Sequence, residues 1–221
     1  ALLALALMLV TTTDPLLPSV QHQWLRSALL QLPTGNQIGF DLSVGLLSGI
    51  FMYYLVVRLP EWQRRHRLRL NLQTSYELCR LQCIHVYLGC LAHAYPGELP
   101  VELLDRQRFR VYFSDTHSPN QQKWDAVANA MTDERIRALV VELELLREEI
   151  HFTLSLVDVQ DVQVFGFFKS MARTLHRTKS WTPDYDSVKH FMGFLWSFHT
   201  GWDWVDGYQD HDPIALYIAS I

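Results

Sequence analysis

The segment RLQCIH contains two side chains whose types and spacing suggest chemistry, Arg80 and His85. An arginine guanidinium can clamp a phosphate group, and a histidine can act as a general acid or base near neutral pH. Residues five positions apart on a helix point about 140° away from each other, so convergence on one phosphate needs special geometry. The alternative interpretation is a pair of surface residues that flank an apolar stripe.

The histidines and cysteines of the chain do not match a recognised metal motif. No His-x3-His or Cys-x2-Cys pair occurs among the ten histidines and three cysteines, and we expect no metal site and no cofactor. Cys79, Cys83 and Cys90 share one apolar stripe, which predicts small core residues. Near the C-terminus, HTGWDWVDGYQDHD contains four aspartates. We expect these acids in solvent, with Asp212 as a helix cap before Pro213.

The most apolar long segment comprises sixteen uncharged residues, 42–57, between Asp41 and Arg58. A helix of that length covers about 24 Å, close to a ~30 Å hydrocarbon core once its long terminal side chains are included. Trp62 follows at the depth expected of the membrane interface. It lies within a run of arginines, which predicts that the C-terminal end of this helix is in the cytoplasm. The arginines are Arg58, Arg64, Arg65, Arg67 and Arg69. The alternative is a core helix of a soluble protein that ends in arginines.

Residues 1–10 are wholly apolar but too few to cross a bilayer, which takes about 20 residues. We expect them to be the end of a first span, although the h-region of a signal peptide has a similar composition. Residues 1–60 are therefore predicted to form a transmembrane hairpin, with a short extracytoplasmic loop at 11–37.

One side of the predicted second span consists mainly of small residues. Gly45 and Gly49 form a GxxxG motif, which lets two membrane helices approach closely. Asp41, Ser48 and Met52 share this side, and an Asp there avoids lipid by facing another helix or water. The side is interpreted either as an oligomer seam or pore lining, or as the surface that packs against the first span of the same chain.

Residues 61–221 are predicted to form a cytosolic helical domain. Ile136, Leu139, Leu143, Leu146 and Ile150 recur at heptad-like spacing, and Thr132 or Asp133 is a suitable N-cap. An irregularity is expected near VDVQD, before a further helix. Alternating strand patterns are absent, so the predicted fold is all-α.

The RLQCIH segment also resembles the R-x4–6-H motif of HEPN-domain ribonucleases, which are helical bundles that cleave RNA across a dimer interface. The succession of membrane helix, basic segment and motif-bearing helix is similar to that of small membrane-anchored HEPN-like accessory proteins of bacterial defence systems. The resemblance implies that Arg80 and His85 are catalytic and that RNA is the substrate. The family favours a polar residue after the arginine, whereas this chain has Leu81.

These observations favour a protein of the bacterial inner membrane with its C-terminal domain in the cytoplasm. The net charge of −4 gives no general reason to expect nucleic-acid binding. We expect the protein to act with the lipid bilayer and copies of itself, as a membrane-perturbing or pore-forming effector in antiphage defence. One alternative is a membrane-tethered HEPN-like ribonuclease. Another is a non-enzymatic anchor or scaffold for a protein encoded in the same operon.

Overall fold

The computed structural model of the chain describes residues 37–92, 94–178, 185–203, 207–208 and 211–221. The predicted first span at 1–10 lies outside the described residues, as does the predicted loop at 11–37 apart from its last residue. Contacts within the chain divide it into two units, Ala1–Arg64 and Arg65–Ile221.

A long helical segment opens the described part of the chain. Helix α1 spans Gln37–Tyr53, a π-helical turn spans Tyr54–Arg58, and helix α2 follows directly over Leu59–Leu91. Pro60 has no backbone N–H and its ring crowds the preceding turn, so a regular α-helical hydrogen bond is lost at this point. The missing hydrogen bond explains why the π-helical turn lies directly before Pro60.

The segment from Asp41 to Leu91 is the one helix among the described residues that is long and apolar enough to cross a membrane. A core helix in a soluble protein is mostly buried, whereas 6% of the most apolar window of this helix is buried. Large apolar side chains such as Leu42, Phe51 and Val56 are more than half exposed. Most of the apolar surface of this segment is thus not covered by the other residues that the structure describes.

The unit Arg65–Ile221 is mostly helical, which agrees with the predicted fold class. Helices α6 and α7 pack against each other, and α8 packs against α4 and α5. The helices after α2 are α3 (Leu99–Glu102), α4 (Arg106–Ser114), α5 (Lys123–Asn129), α6 (Asp133–Leu156), α7 (Val162–Arg177), α8 (Tyr185–Thr200) and α9 (Pro213–Ala219).

Side-chain caps define where these helices begin. The Thr132 hydroxyl accepts a hydrogen bond from the backbone N–H of Arg135 at 3.4 Å, which confirms the predicted start of α6. The Asp161 carboxylate accepts from the N–H groups of Gln163 and Val164 at 2.8 and 3.4 Å. These caps satisfy donors that have no partner inside the helix. The expected irregularity near VDVQD is the break between α6 and α7.

The core of this unit is built from the predicted stripes. Cys79 and Cys83 are buried and Cys90 is half-buried, and all three are free thiols. The apolar residues at the heptad positions of α6 are also buried. Rings from α2, α4, α5 and α8 pack mostly edge to face in one cluster, formed by Tyr87, Phe109, Phe113, Trp124, Trp196 and His199.

The sequence predicted no strands, and the structure corrects this with two short antiparallel pairs. Strand β1 (Thr116–Ser118) pairs with β2 (Gln121–Gln122), and β3 (Trp202–Asp203) pairs with β4 (Gly207–Tyr208). Strands of two or three residues are too short to show an alternating pattern. Asn120 and Gly207 adopt positive φ in or beside the turns that join them.

Candidate functional site

A buried network of charged and polar side chains joins three helices of the unit Arg65–Ile221. Two arginines, Arg80 on α2 and Arg106 at the start of α4, meet the carboxylate of Asp212, which caps α9. Arg106 Nη2 donates to Asp212 Oδ1 at 2.7 Å, and Arg80 Nη1 lies 3.6 Å from Asp212 Oδ2. The hydroxyl of Tyr76 donates to Asp212 Oδ2 at 3.0 Å. We call these four residues the arginine network.

The carboxylate of Asp212 also fixes the start of α9. Its Oδ1 atom accepts from the backbone N–H groups of Ile214 and Ala215 at 3.0 and 3.2 Å. The predicted cap is therefore confirmed, but the expectation that this acid is solvated is wrong. The side chain of Asp212 is 19% exposed because two arginines draw it into the fold.

Arg80 lies deep inside the unit, so its interpretation as a surface residue is also wrong. Its side chain is 6% exposed. Besides its ion pair, Arg80 Nη2 donates to the backbone oxygen of Leu104 at 2.6 Å, and the guanidinium lies over the ring of Tyr76 at 5.6 Å. These contacts tie α2 to the segment between α3 and α4.

Burial shifts the pKa of two groups around the network, and the neighbouring arginines oppose this shift for Tyr76 and add to it for His199. Burial is the main cause that raises the pKa of Tyr76 above its ordinary value. Burial, assisted by Arg80 and Arg106, lowers the pKa of His199 well below its ordinary value. His199 is therefore neutral at pH 7, and its Nε2 lies 3.3 Å from the hydroxyl of Tyr87.

Several donors of the arginine network remain without an acceptor in the described residues. They are Nε of Arg80 and both Nε and Nη1 of Arg106. Arg106 Nη1 packs against Gly201, which adopts a φ of +66°, and a Cβ at that position would overlap the guanidinium. A glycine is thus required there both by its backbone conformation and by the arginine beside it.

A pocket of about 400 Å³ adjoins the network. Arg106 and Gly201 form part of its wall, and the rest comes from α7, α8 and the start of α9. The polar members of that wall are Ser170, Thr174 and Ser197, and the others are mostly aromatic or aliphatic. Among the described residues of its wall, the pocket therefore combines the cationic Arg106 with a largely apolar surface.

The structure gives the predicted catalytic pair separate partners. His85 Nδ1 lies 2.8 Å from the hydroxyl of Tyr95, and the two rings contact each other. Arg80 instead binds Asp212 and the backbone of Leu104. No hydrogen bond or ion pair among the described residues joins Arg80 to His85, and their catalytic role stays a prediction.

The predicted helix-packing residues lie on the exposed segment of α1. Asp41, Gly45, Ser48 and Gly49 are exposed, as is Met52. A Cβ added at either glycine meets no atom within 4 Å. The opposite side of this helix is exposed as well, with Leu46 at 54%. Neither side is thus occupied by the described part of the chain.

The predicted interface residues lie at the start of α2. Trp62 is 64% exposed, and Arg64 and Arg67 are exposed. Arg65 and Arg69 are half-buried. Arg69 donates to the backbone oxygen of Ala219 at 3.3 Å and lies 3.1 Å from Nδ1 of His66.

Sequence reasoning did not identify Arg106, Tyr76 or Asp212 as members of one site. Arg106 directly follows Asp105, whose side chain caps α4 by accepting a hydrogen bond from the N–H of Arg108. This cap is a local sequence signal for the start of α4, but it does not indicate which residues Arg106 contacts. The described residues contain no group of three or more potential metal ligands. No protein-family model, curated protein or solved structure matches the chain.

Proposed function

We propose that the chain is a membrane-anchored helical protein that acts by assembling through its apolar helix. The observation that carries this proposal is the largely exposed apolar surface of the segment from Leu42 to Val57, which contains no charged side chain and in which Ser43 alone is fully buried. A monomeric soluble protein rarely exposes a contiguous apolar surface of this kind. In a bilayer the same side chains face lipid, and the backbone groups are satisfied within the helix.

The arginines at the start of α2 support a bacterial inner-membrane location with Arg65–Ile221 in the cytoplasm. Arg64 and Arg67 are exposed close to Trp62, as expected for residues at the headgroup level. The role in antiphage defence and the pore remain predictions from the sequence, as does an operon-encoded partner.

Assembly is proposed to use the side of α1 that carries Gly45 and Gly49. Both positions have open space where a side chain would begin, so a second helix can approach the backbone there. Asp41 lies near the start of the same side, and a carboxylate at a helix–helix contact avoids lipid.

The test is the oligomeric state of the full chain in lipid nanodiscs or mild detergent, measured by native mass spectrometry. We expect the double variant Gly45→Leu/Gly49→Leu to reduce the oligomer to monomer, because the larger side chains separate the helix backbones. Gly166→Leu is the matched control: this exposed glycine of α7 also has open space at its Cβ position. An oligomer that persists in the double variant, or a monomeric wild type, would contradict the proposal.

A further inference from the structure

Two exposed apolar side chains lie at the start of helix α7. Val162 is 82% exposed, more than any other large apolar side chain among the described residues, and Phe165 is 39% exposed. They are three positions apart and share one side of the helix, whereas Val164 and Phe168 on the other side are buried. Lys169 follows on the exposed side, and its ammonium lies 5.7 Å from the centroid of the Phe165 ring. We call Val162, Phe165 and Lys169 the α7 face.

Contacts with α9 place the start of α7 at the end of the unit Arg65–Ile221 where α2 enters it. Arg69, in the first turns of that unit, donates to the backbone oxygen of Ala219 at 3.3 Å, so the end of α9 lies beside them. Phe167 of α7 stacks on Tyr217, two positions before Ala219, with ring centroids 4.1 Å apart. The first turns of α7 therefore lie near the first turns of α2 in this unit.

Contacts with α6 give the same placement independently. Asn71 Nδ2 donates to Glu149 Oε1 at 2.6 Å, and α6 ends seven residues after Glu149. The start of α6 lies at the other end of the unit, where Arg135 Nη2 donates to the backbone oxygen of Gly89 at 3.2 Å. Since α7 begins at Val162 after a short connection and packs along α6, its start lies at the same end as Asn71.

A short helical stretch joins this end of the unit to the segment proposed to lie in lipid. Arg65 is eight positions after Val57, the last residue of that segment, which corresponds to about 12 Å along a helix. The headgroup layer of a bilayer extends about 5–7 Å beyond each side of the hydrocarbon core. Long side chains at this end are thus close enough to reach headgroups, whereas Gly89 lies about 36 Å farther along α2.

We propose that the α7 face contacts the headgroup layer of the phospholipid bilayer, with Val162 and Phe165 against its apolar side and the ammonium of Lys169 beside a lipid phosphate. A cation next to apolar and aromatic side chains suits a layer that is apolar below and carries phosphates above. The exposed Asp158 and the capping Asp161 precede the face, so a zwitterionic lipid is expected to suffice. The inference rests on the proposed function, because it requires the neighbouring helix to lie in the membrane.

Fluorescence quenching of the full chain in phosphatidylcholine vesicles tests the proposal. A bimane fluorophore is attached in detergent to Val162→Cys, Val111→Cys or Phe51→Cys before reconstitution, and the signal from the native thiols of the wild-type chain is subtracted. Val111 is the matched control: it is a 64% exposed valine of α4, and the nearby Phe113 packs on Tyr87, far along α2. We expect a nitroxide on the lipid headgroup to quench the fluorophore of Val162→Cys at least roughly twofold more strongly than that of Val111→Cys.

A charge added to the α7 face shows whether the face itself makes the contact. In the Val162→Cys chain, Phe165→Glu is expected to reduce headgroup quenching to the level of the Val111 control, because a carboxylate leaves the apolar side of the layer. Val101→Glu, at a 60% exposed position of α3, should leave the quenching unchanged. Unchanged quenching by Phe165→Glu would overturn the proposal.

The label at Phe51→Cys separates failure of this inference from failure of the proposed function. A nitroxide on the lipid acyl chain should quench the fluorophore at Phe51→Cys, because that residue lies in the segment proposed to be in lipid. Quenching there together with equal headgroup quenching of Val162→Cys and Val111→Cys would overturn this inference alone. An unquenched fluorophore at Phe51→Cys would overturn the proposed function and this inference with it.

Discussion

Replacing Asp212 with Asn should destabilise the unit Arg65–Ile221 strongly, although the two side chains have the same shape. The change removes the shared charge and leaves Arg80 and Arg106 buried without a counterion among the residues that the structure describes. Breaking a buried ion pair from one side costs about 3–5 kcal/mol, and the 19% exposure of Asp212 favours the lower end, about 3 kcal/mol. Since Asn is itself a good N-cap, Asp212→Ala should cost about 1 kcal/mol more than Asp212→Asn.

Asp161 provides the matched control, because it caps α7 through the same kind of hydrogen bonds but has no arginine beside it among the described residues. We expect Asp161→Asn to change the free energy of unfolding by less than about 0.5 kcal/mol and Asp161→Ala to lower it by about 1 kcal/mol. Urea unfolding of the full chain in detergent, followed by tryptophan fluorescence, measures all four variants. Equal small effects of the two Asn variants would refute the assigned role of the arginine network.

Three further outcomes follow from the same region. The pKa of His199 is lower in the folded state than in the unfolded chain, so the unfolded state binds the proton first as the pH falls. The free energy of unfolding therefore decreases below about pH 6.5, by about 1.4 kcal/mol per pH unit until the folded-state pKa is reached. Urea titrations between pH 7 and 5 should therefore show a shallower pH slope for His199→Gln than for the wild type, and equal slopes would contradict this expectation. Gly201→Ala should lower the free energy of unfolding by more than Gly207→Ala. Both glycines have positive φ, so each alanine substitution costs about 1–2 kcal/mol of backbone strain, but only an alanine at position 201 also overlaps the guanidinium of Arg106. Equal losses in urea unfolding would contradict this packing. If the HEPN-like prediction is right, His85→Ala should abolish cleavage of single-stranded RNA by the purified chain, although losing the contact with Tyr95 costs only about 1 kcal/mol of stability. Wild-type protein inert towards RNA would remove that prediction.

The elements that could be predicted from the sequence are those set by neighbouring residues. The spacing of Ile136, Leu139 and Leu143 identified the buried side of α6, because helical periodicity links positions three and four apart. Thr132 and Asp212 were recognisable as caps because a capping side chain bonds to N–H groups only two or three residues later.

The arginine network could not be predicted because its members are far apart in sequence. Arg80 and Asp212 are separated by 132 positions, and no local pattern indicates that they meet. Composition also suggested the opposite outcome, since an acidic segment is ordinarily solvated. The π-helical turn at Tyr54–Arg58 likewise depends on how the backbone adjusts before Pro60, which a count of apolar residues does not capture.

Charged-maleimide labelling of intact membranes shows whether the exposed apolar segment lies in lipid. Phe51→Cys and Phe152→Cys replace phenylalanines that are 61% and 51% exposed on the chain alone. Labelling is measured above the background of the native thiols, before and after solubilisation in SDS. We expect Phe152→Cys to react at once and Phe51→Cys to react only after SDS, because the bilayer excludes the charged reagent. Recovery of the wild-type chain in the soluble fraction, or equally fast labelling of both positions in intact membranes, would show that this segment does not lie in lipid.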